Sequence, residues 1–313
     1  MKKQIFYLIS KYVFAFFLIT PISVLGADLF KPDINWSLQQ LKKKKINSSF
    51  LKILKKNYDK KSFTSVIRLN TLGFLSPPNH MSLVSDEAVM KSLDFLNQNK
   101  TSFDIALKEY TVPPEIITSL LWVETRHGKI TGTFHVPSVY LHLLQLSRQK
   151  NQNYLFKIAR KSTSSHGISS KDLRKKIKER SIWRAKWALE ELIALEKMHH
   201  AKQKDLKNLK GSFAGAFGLP QFIPSSYRAF ACSSADRPPN LFTHEDSIQS
   251  VARYLMVHGW DNLNTEHQIN SLMKYNNSRD YAESIIELAK KIRKLIKEKK
   301  LRAVAADKDT LSS

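Results

Sequence analysis

A glutamate at the end of an apolar helical stretch is the first residue that could carry out acid-base chemistry. Glu124 lies in LWVETRHGKITG (121–132), and spacings of three and four place it on one helical face with Ile117, Leu120 and Leu121. A carboxyl group on an apolar face is partly desolvated, which raises its pKa and keeps it protonated nearer neutral pH. Such a group can act as a general acid. The structural alternative is a glutamate at the edge of the face, paired with a lysine or arginine of another segment.

A second segment combines small residues with neutral polar groups. Residues 211–227 read GSFAGAFGLPQFIPSSY, in which glycines and alanines let the backbone approach a ligand closely. Ser212 and Gln221 offer uncharged hydrogen bonds next to aromatic rings, a combination that suits a sugar. The segment lacks the GK[ST] sequence of a phosphate-binding loop and the glycine spacing of a dinucleotide-binding fingerprint. The alternative is a tight packed turn between helices.

Helices are the elements that must position these residues. Pro113 and Pro114 suit the first turn of the helix that carries Glu124, and Gly128 and Gly132 suit its end. Apolar spacing near 3.6 residues, with start and stop signals, predicts further helices after Ser85, over 182–202, from Thr243 to Gly259 with a capping box at THED, and over 279–297. Residues 157–180 form a polar excursion, and 65–75 is the best candidate for a strand. We expect a mainly α fold.

The first 26 residues have the composition of a secretory signal peptide. Lys2 and Lys3 precede an apolar run from Tyr12 to about Thr20, and small residues end the segment. The run is short for a membrane span, which takes roughly 20 residues, and the alternative is an uncleaved N-terminal anchor. Cys232 is the only cysteine, which excludes an internal disulfide and a lipid-bearing cysteine after the signal. We predict an exported, periplasmic protein that is not a lipoprotein.

The formal charge of +24 over 313 residues favours a polyanionic partner. Nucleic acid, an anionic membrane and the bacterial cell wall all fit, and the predicted export makes nucleic acid the weakest of the three. Much of the charge lies in lysine runs such as 42–45, and runs of this kind are usually solvated helix faces. The charge favours peripheral contact with anionic envelope surfaces, and because of the predicted export we expect no binding of nucleic acid.

Four motifs, in order, carry a resemblance to a known family. They are ETRHG (124–128) with Gly132, GSFAGAFGLPQFIPSSY (211–227), HEDSIQSVARYLMVHGW (244–260) and YNNSRDYA (275–282). This order resembles the membrane-bound lytic transglycosylase B family of peptidoglycan-cleaving enzymes, glycoside hydrolase family 103, over roughly residues 100–295. Residues 28–84 and the basic tail carry no recognisable part of the resemblance.

The resemblance implies a mainly α, lysozyme-like fold with a small, strand-poor accessory region. It implies cleavage of the β-1,4 bond between N-acetylmuramic acid and N-acetylglucosamine without water, which gives 1,6-anhydromuramic products. We expect a signal peptide over 1–26, an N-terminal helical extension over 27–84, the transglycosylase domain over 85–298 and a basic, disordered tail over 299–313. The expected partners are peptidoglycan glycan strands, and the expected state is a monomer.

The resemblance also implies roles for individual residues. The glutamate of the ETR motif, Glu124, would serve first as acid and then as base. Ser212 and Gln221 match residues that contact sugar in the cleft. In the YNNSRDYA motif, the residues that match positions lining the same cleft are Tyr275, Asn276 and Tyr281. A substrate that supplies its own nucleophile needs only one catalytic carboxylate, and the matched motifs contain no obvious second one.

The sequence departs from the family pattern in two places. Relatives often carry a calcium-binding loop after the PSS motif, but here residues 229–242 contain Asp236 as their only acid, so we expect no calcium. Relatives commonly have tryptophan at the position of His127, and this change would alter one wall of the cleft. The histidines form no metal-binding motif, so we predict no metal and no cofactor.

Two other classes of protein compete with the enzyme. A non-catalytic peptidoglycan-binding or envelope scaffolding protein would keep the cleft without turnover, and the presence of Glu124 with Ser212 and Gln221 argues against it. A basic exported protein that binds membrane or nucleic acid would need no cleft, and added salt would abolish its binding.

Overall fold

The computed structural model describes residues 31–162, 168–201 and 205–311. In these ranges the chain forms α-helices and one two-stranded sheet. The helices are α1 (Ile34–Lys43), α2 (Ser48–Lys56), α3 (Phe63–Leu72), α4 (Asp86–Gln98), α5 (Lys100–Tyr110), α6 (Pro114–Thr125), α7 (Val136–Leu144), α8 (Gln149–Ser162), α9 (Ser170–His200), α10 (Pro224–Phe230), α11 (His244–Val257), α12 (Thr265–Tyr275) and α13 (Arg279–Leu311). β1 (Phe134–His135) pairs antiparallel with β2 (Lys210–Gly211). The predicted signal peptide, 1–26, lies outside the described residues.

Helix α6, which carries Glu124, lies at the centre of the fold. It packs against α4, α5, α11 and α13, and every residue from 116 to 125 is buried, including Thr118 and Ser119. The prediction of a helix here is confirmed, but the helix is buried on all sides rather than along one apolar face. A helix that is apolar all round is typical of the core of a large domain.

A second set of helices packs beside this centre. α7 packs against α9, and α8, α3 and α10 also contact α9. Helix α9 begins at Ser170, well before the predicted start at 182, because Ser169 caps its first turn by accepting a hydrogen bond from the backbone of Asp172. Leu173, Ile177 and Ser181 are buried at spacings of four. Much of the polar excursion predicted for 157–180 is therefore helical, apart from 163–167, which lie outside the described residues.

The predicted strand over 65–75 is wrong. Residues up to Leu72 belong to α3, and the next three form a single 3-10 turn. The buried residues of this helix are Phe63, Val66, Ile67, Asn70 and Thr71, which lie three and four positions apart. Branched and aromatic side chains suggested a strand, but the period of burial is that of a helix.

The structure confirms the helix predicted after Ser85 and the one predicted to end at Gly259. Ser85 caps α4 through its side chain, which accepts a hydrogen bond from the backbone of Ala88. The capping box predicted at Thr243 is absent, because the Thr243 hydroxyl donates to the carbonyl oxygen of Asn240, 2.8 Å away, and makes no cap hydrogen bond. Gly259 follows the end of α11 with a φ of 82°.

The expectation of a disordered tail over 299–313 is wrong as far as Leu311. Helix α13 runs from Arg279 to Leu311 without a break. This stretch contains no glycine or proline and is rich in alanine, leucine, lysine and glutamate, which are strong helix formers. Among the helices that the structure describes, none combines the length and the apolar character needed to cross a membrane.

Candidate active site

Glu124 occupies the last turn of α6 and is 4% exposed. Its Oε1 accepts a hydrogen bond from the Tyr281 hydroxyl, 2.5 Å away. Its Oε2 is buried and has no hydrogen-bond partner among the described residues. One oxygen is thus held in place by a fixed donor, and the other is buried without a partner among the described residues.

The surroundings of Glu124 favour its protonated form. Burial raises the pKa of Glu124 to about 8, and the hydrogen bond from Tyr281 acts in the opposite direction. No ion pair joins Glu124 to a basic side chain in the described part of the chain. The structure therefore disfavours the alternative of a surface glutamate paired with a lysine or arginine.

A sharp reversal of the chain ends α6 directly after Glu124. Arg126, His127 and Gly128 have φ values of 52°, 56° and 91°, so three successive residues are left-handed. The Thr125 hydroxyl accepts a hydrogen bond from the Gly128 amide, 2.9 Å away, and donates to the carbonyl oxygen of Leu219, 2.8 Å away. Thr125 thereby ties the end of α6 to the segment that contains Gln221.

His127 packs into the protein beside this reversal. Its ring stacks on Phe95, with centroids 4.2 Å apart, and its Nε2 lies 3.0 Å from the carbonyl oxygen of Thr118. Burial lowers the pKa of His127 to about 4, so the ring is neutral near pH 7. These contacts assign the His127 ring to packing at the end of α6.

The segment 211–227 uses the Ser212 side chain to shape its own turn. Ser212 Oγ accepts hydrogen bonds from the amides of Ala214 and Ala216, 3.3 and 3.2 Å away. The side chain is 1% exposed. The turn rests on Tyr140, whose hydroxyl donates to the carbonyl oxygen of Gly215, 3.0 Å away. Within the described structure, Ser212 acts on the backbone of the turn.

Gln221 adopts a strained conformation with one free acceptor. Its φ is 52°, and its Nε2 donates to the carbonyl oxygens of Gly218 and Thr131, 2.7 and 3.1 Å away. Its Oε1 is buried and has no partner among the described residues. A left-handed non-glycine residue is often part of a functional site. The amide group is therefore fixed with its oxygen ready to accept a hydrogen bond from a ligand.

The tyrosines of the YNNSRDYA motif connect the two segments. Tyr281 donates to Glu124, and the Tyr275 hydroxyl donates to the carbonyl oxygen of Pro220, next to Gln221. Burial raises the pKa of both phenols well above the usual range, so both remain donors. Asn276 is buried at the end of α12. All the predicted residues thus lie in connected segments, and of this set Tyr281 is the one that hydrogen-bonds to the Glu124 carboxyl group.

The backbones of Gly132 and Gly211 approach each other closely, and this contact joins the end of the α6 turn to the segment 211–227. Gly132 has a φ of 93°, and a Cβ atom added there would overlap the backbone of Gly211. We expect Gly132→Ala to lower the free energy of unfolding by about 2–4 kcal/mol, because both the backbone and the packing must change. Gly73→Ala is the matched control, since nothing lies within 4 Å of its added Cβ. Equal urea midpoints for the two variants would contradict the expectation.

A cavity of about 500 Å³ opens beside this assembly. Gln221 and Tyr275 line it, together with Trp183, Trp187 and Glu191 of α9. Glu124 does not line the cavity, and at 4% exposure its carboxyl group is covered. The cavity therefore borders Gln221 and Tyr275 but not the carboxyl group of Glu124.

A second buried carboxyl group, Glu191, is absent from the residues predicted from the sequence. It is 1% exposed, and its oxygens accept hydrogen bonds from Ser225 Oγ at 2.8 Å and the Ser225 amide at 2.9 Å. Burial raises its pKa to about 7. Glu191 lies in the run WALEELIAL on a face with Ala188 and Leu195, so the criterion that selected Glu124 would have selected it too.

Glu191 fixes the segment 211–227 by binding Ser225 just beyond Gln221. We expect Glu191→Ala to lower the free energy of unfolding by about 1–3 kcal/mol at about pH 6, because it leaves both donors of Ser225 without their acceptor. Glu190→Ala is the control, because Glu190 is the adjacent, exposed glutamate of the same helix. Thermal unfolding of both variants measures the difference, and a cost for Glu190→Ala as large as that for Glu191→Ala would be contrary to this role.

Residues 79–269 match the family described as Transglycosylase SLT domain. A curated relative is the membrane-bound lytic murein transglycosylase B of Escherichia coli, which is 34% identical over 178 residues. That alignment covers 56% of this chain, and it spans only 40% of the length of the relative.

Solved structures of lytic transglycosylases share the fold. Slt35 of Escherichia coli in complex with bulgecin A has a TM-score of 0.61 at 22% identity, over 86% of this chain and 95% of that one. SltB1 of Pseudomonas aeruginosa has a TM-score of 0.60 at 22% identity, over 84% and 99%. SltB3 of Pseudomonas aeruginosa, bound to NAG-anhNAM-pentapeptide, has a TM-score of 0.62 at 15% identity, over 83% and 78%. The mainly α, lysozyme-like fold is thereby confirmed, and the chain belongs to the Transglycosylase SLT domain family.

Proposed function

We propose that this protein is a lytic transglycosylase that cleaves the β-1,4 bond between N-acetylmuramic acid and N-acetylglucosamine in peptidoglycan. The observation that carries the proposal is the state of Glu124, whose carboxyl group has a pKa raised to about 8 by burial and one unpartnered oxygen. Family membership supports the same reaction. The SltB3 complexes contain NAG-anhNAM-pentapeptide and NAG-NAM-pentapeptide, which are fragments of this kind of polymer.

In the proposed mechanism Glu124 donates its proton to the glycosidic oxygen while the bond to C1 of the muramic residue breaks. The muramic N-acetyl group stabilises the positive charge that develops at C1. Glu124, now a carboxylate, then accepts the proton of the muramic 6-hydroxyl as that oxygen bonds to C1. The proton lost is thus regained, no water is consumed, and the product carries a 1,6-anhydro ring. Positioning of this internal nucleophile can contribute about 7–11 kcal/mol to lowering the barrier.

Tyr281 suits the second half of this cycle. A hydrogen bond to the charged form of a carboxyl group stabilises that form, so the Tyr281 hydroxyl offsets part of the cost of burial after Glu124 has lost its proton. This leaves Glu124 able to act in both directions near neutral pH. We propose that Tyr281 is therefore part of the acid-base group.

In this proposal the remaining predicted residues bind the sugar or hold the segments that bind it. Gln221 offers its unpartnered Oε1 to a sugar hydroxyl, and Tyr275 supports the backbone next to it. Ser212 holds the turn in a form that a sugar can approach, and we assign Asn276, which is buried next to Tyr275, to the same cleft. Both oxygens of Glu191 accept hydrogen bonds from Ser225, so we assign Glu191 to holding the segment 211–227 and not to the nucleophile of a two-carboxylate mechanism.

The setting of the reaction follows from the sequence. We propose a periplasmic monomer, exported by residues 1–26, with a helical extension over 27–84 and the transglycosylase domain over 85–298. The substrate is the peptidoglycan glycan strand, and the mechanism needs neither a metal nor a cofactor. The extension contacts the domain, since α3 packs against α7 and α9.

Digestion of purified sacculi tests the proposal. We expect soluble muropeptides with 1,6-anhydromuramic ends, each lighter by one water than the hydrolytic product, and mass spectrometry separates the two. Reducing muramic ends would show a hydrolase instead. Binding of the protein to sacculi with no soluble product would favour the non-catalytic peptidoglycan-binding or scaffolding protein.

A further inference from the structure

A second concave surface, of about 610 Å³, lies away from the candidate active site. It is formed by the start of the described chain, by α8 and by the first turns of α9. We call it the basic pocket, and its basic side chains are Lys31, Lys150, Lys157, Arg160 and Arg174. The lining that the structure describes contains no acidic side chain.

Helical spacing concentrates this charge on one face of α8. Lys150, Lys157 and Arg160 are exposed, whereas Leu155 and Ala159 are buried on the opposite face. The buried face secures the helix, so the basic side chains have a fixed backbone beneath them.

Arg174 crosses to this face from α9 and is held there by two contacts. Its guanidinium lies 3.9 Å from the centroid of the Phe156 ring, and its Nη1 donates to Asn153 Oδ1, 3.4 Å away. Both partners also line the basic pocket. Arg174 is thus a positioned cation, which retains hydrogen-bond donors for a ligand.

Acidic side chains near the pocket have other partners. Asp33 pairs with Arg148, 2.8 Å away, and Asp172 accepts a hydrogen bond from Ser169 Oγ, 2.6 Å away. None of the five basic residues forms an ion pair within the described ranges. Five like charges around one concavity repel each other, and a bound anion relieves that repulsion.

We propose that the basic pocket binds the phosphate of anionic phospholipid headgroups and holds this face of the protein against a membrane surface. Guanidinium and ammonium groups are the usual ligands of phosphate. Basic residues near an anionic surface strengthen binding roughly fivefold each, so a pocket with five of them suits an anionic lipid surface.

Vesicle sedimentation with a charge-matched control tests this proposal. The purified protein is mixed with phosphatidylcholine vesicles, with and without phosphatidylglycerol, so that the difference isolates the effect of anionic lipid. We expect Lys157→Glu/Arg160→Glu to weaken this difference at least about tenfold. Lys290→Glu/Lys291→Glu carries the same change of charge on exposed residues of α13 and is expected to stay within about twofold of the unaltered protein.

Four outcomes would overturn the proposal. Equal losses in the two double variants would show a response to total charge, and full binding by Lys157→Glu/Arg160→Glu would show that the pocket is not used. Inorganic phosphate that displaces the protein from vesicles at concentrations too low to screen charge would indicate a site for free phosphate. Tighter binding to duplex DNA, with the same dependence on Lys157 and Arg160, would indicate a nucleic-acid site. Circular dichroism and unchanged digestion of sacculi verify that both variants fold.

Discussion

Glu124→Gln is expected to abolish cleavage of peptidoglycan while the fold is kept. An amide can neither give a proton to the glycosidic oxygen nor take one from the 6-hydroxyl, so both halves of the proposed cycle fail. We expect kcat to fall by about 100-fold to 10,000-fold, which is the usual contribution of a positioned acid or base. Glutamine has nearly the same shape, and its Oε1 can still accept the hydrogen bond from Tyr281.

Glu115→Gln is the matched control for this experiment. Glu115 lies in the first turn of the same helix, and its carboxylate is 3.8 Å from Arg293 in a partly exposed ion pair. The substitution is the same, but it lies far along α6 from the Tyr281 contact, so we expect release of muropeptides near that of the unaltered protein. Release by Glu124→Gln at the rate of Glu115→Gln would refute the role of Glu124.

Tyr281→Phe gives a graded test of the same site. It removes the hydrogen bond from Tyr281 to the Glu124 carboxyl group, and this bond lowers the pKa of that group. The pKa of Glu124 should therefore rise further, and the alkaline limb of the profile of kcat against pH should move to higher pH. A purely structural tyrosine would lower stability without moving that limb.

How far the sequence predicts the site depends on how local the contacts are. The burial of Glu124 follows from spacing within one helix, and the prediction held. Among the described residues its carboxyl group has one hydrogen-bond partner, Tyr281, which is 157 positions away, and no local pattern places the two together. The resemblance to a family supplied Tyr281 as a cleft residue, and the structure adds the contact with Glu124.

Other features of the structure that the sequence did not predict also depend on packing and on contacts. The contact of Ser212 with sugar stays a prediction, and the structure adds hydrogen bonds from the amides of Ala214 and Ala216 to its Oγ, which the sequence did not predict. The branched and aromatic residues of 65–75 have a high strand propensity, which predicts a strand. Packing outweighs that propensity, because the buried positions follow the period of a helix. Glu191 was overlooked because it lies outside the matched motifs.

The stability of the protein should fall as pH rises from about 5 to about 8, and Glu124→Gln should remove much of that fall. The pKa of Glu124 is raised from 4.5 in the unfolded chain to about 8 in the folded protein, so between these values the folded protein holds a proton that the unfolded chain has released. The contribution of that proton to the free energy of unfolding is fully present below the pKa of the unfolded chain, 4.5. It is lost as pH rises through the pKa of the folded protein, about 8. One group changes the free energy of unfolding by about 1.4 kcal/mol per pH unit, or on the order of 4 kcal/mol over the window.

Urea unfolding at several pH values measures this effect in both proteins. The two should be about equally stable near pH 5, and Glu124→Gln should become the more stable one as pH approaches 8, because the amide has no proton to lose. Glu191, with a pKa raised to about 7, contributes the same slope to both proteins and cancels from their difference. Parallel stability curves would mean that Glu124 is charged in the folded protein at neutral pH, and the carboxyl group would then lack the proton that the first step of the reaction requires.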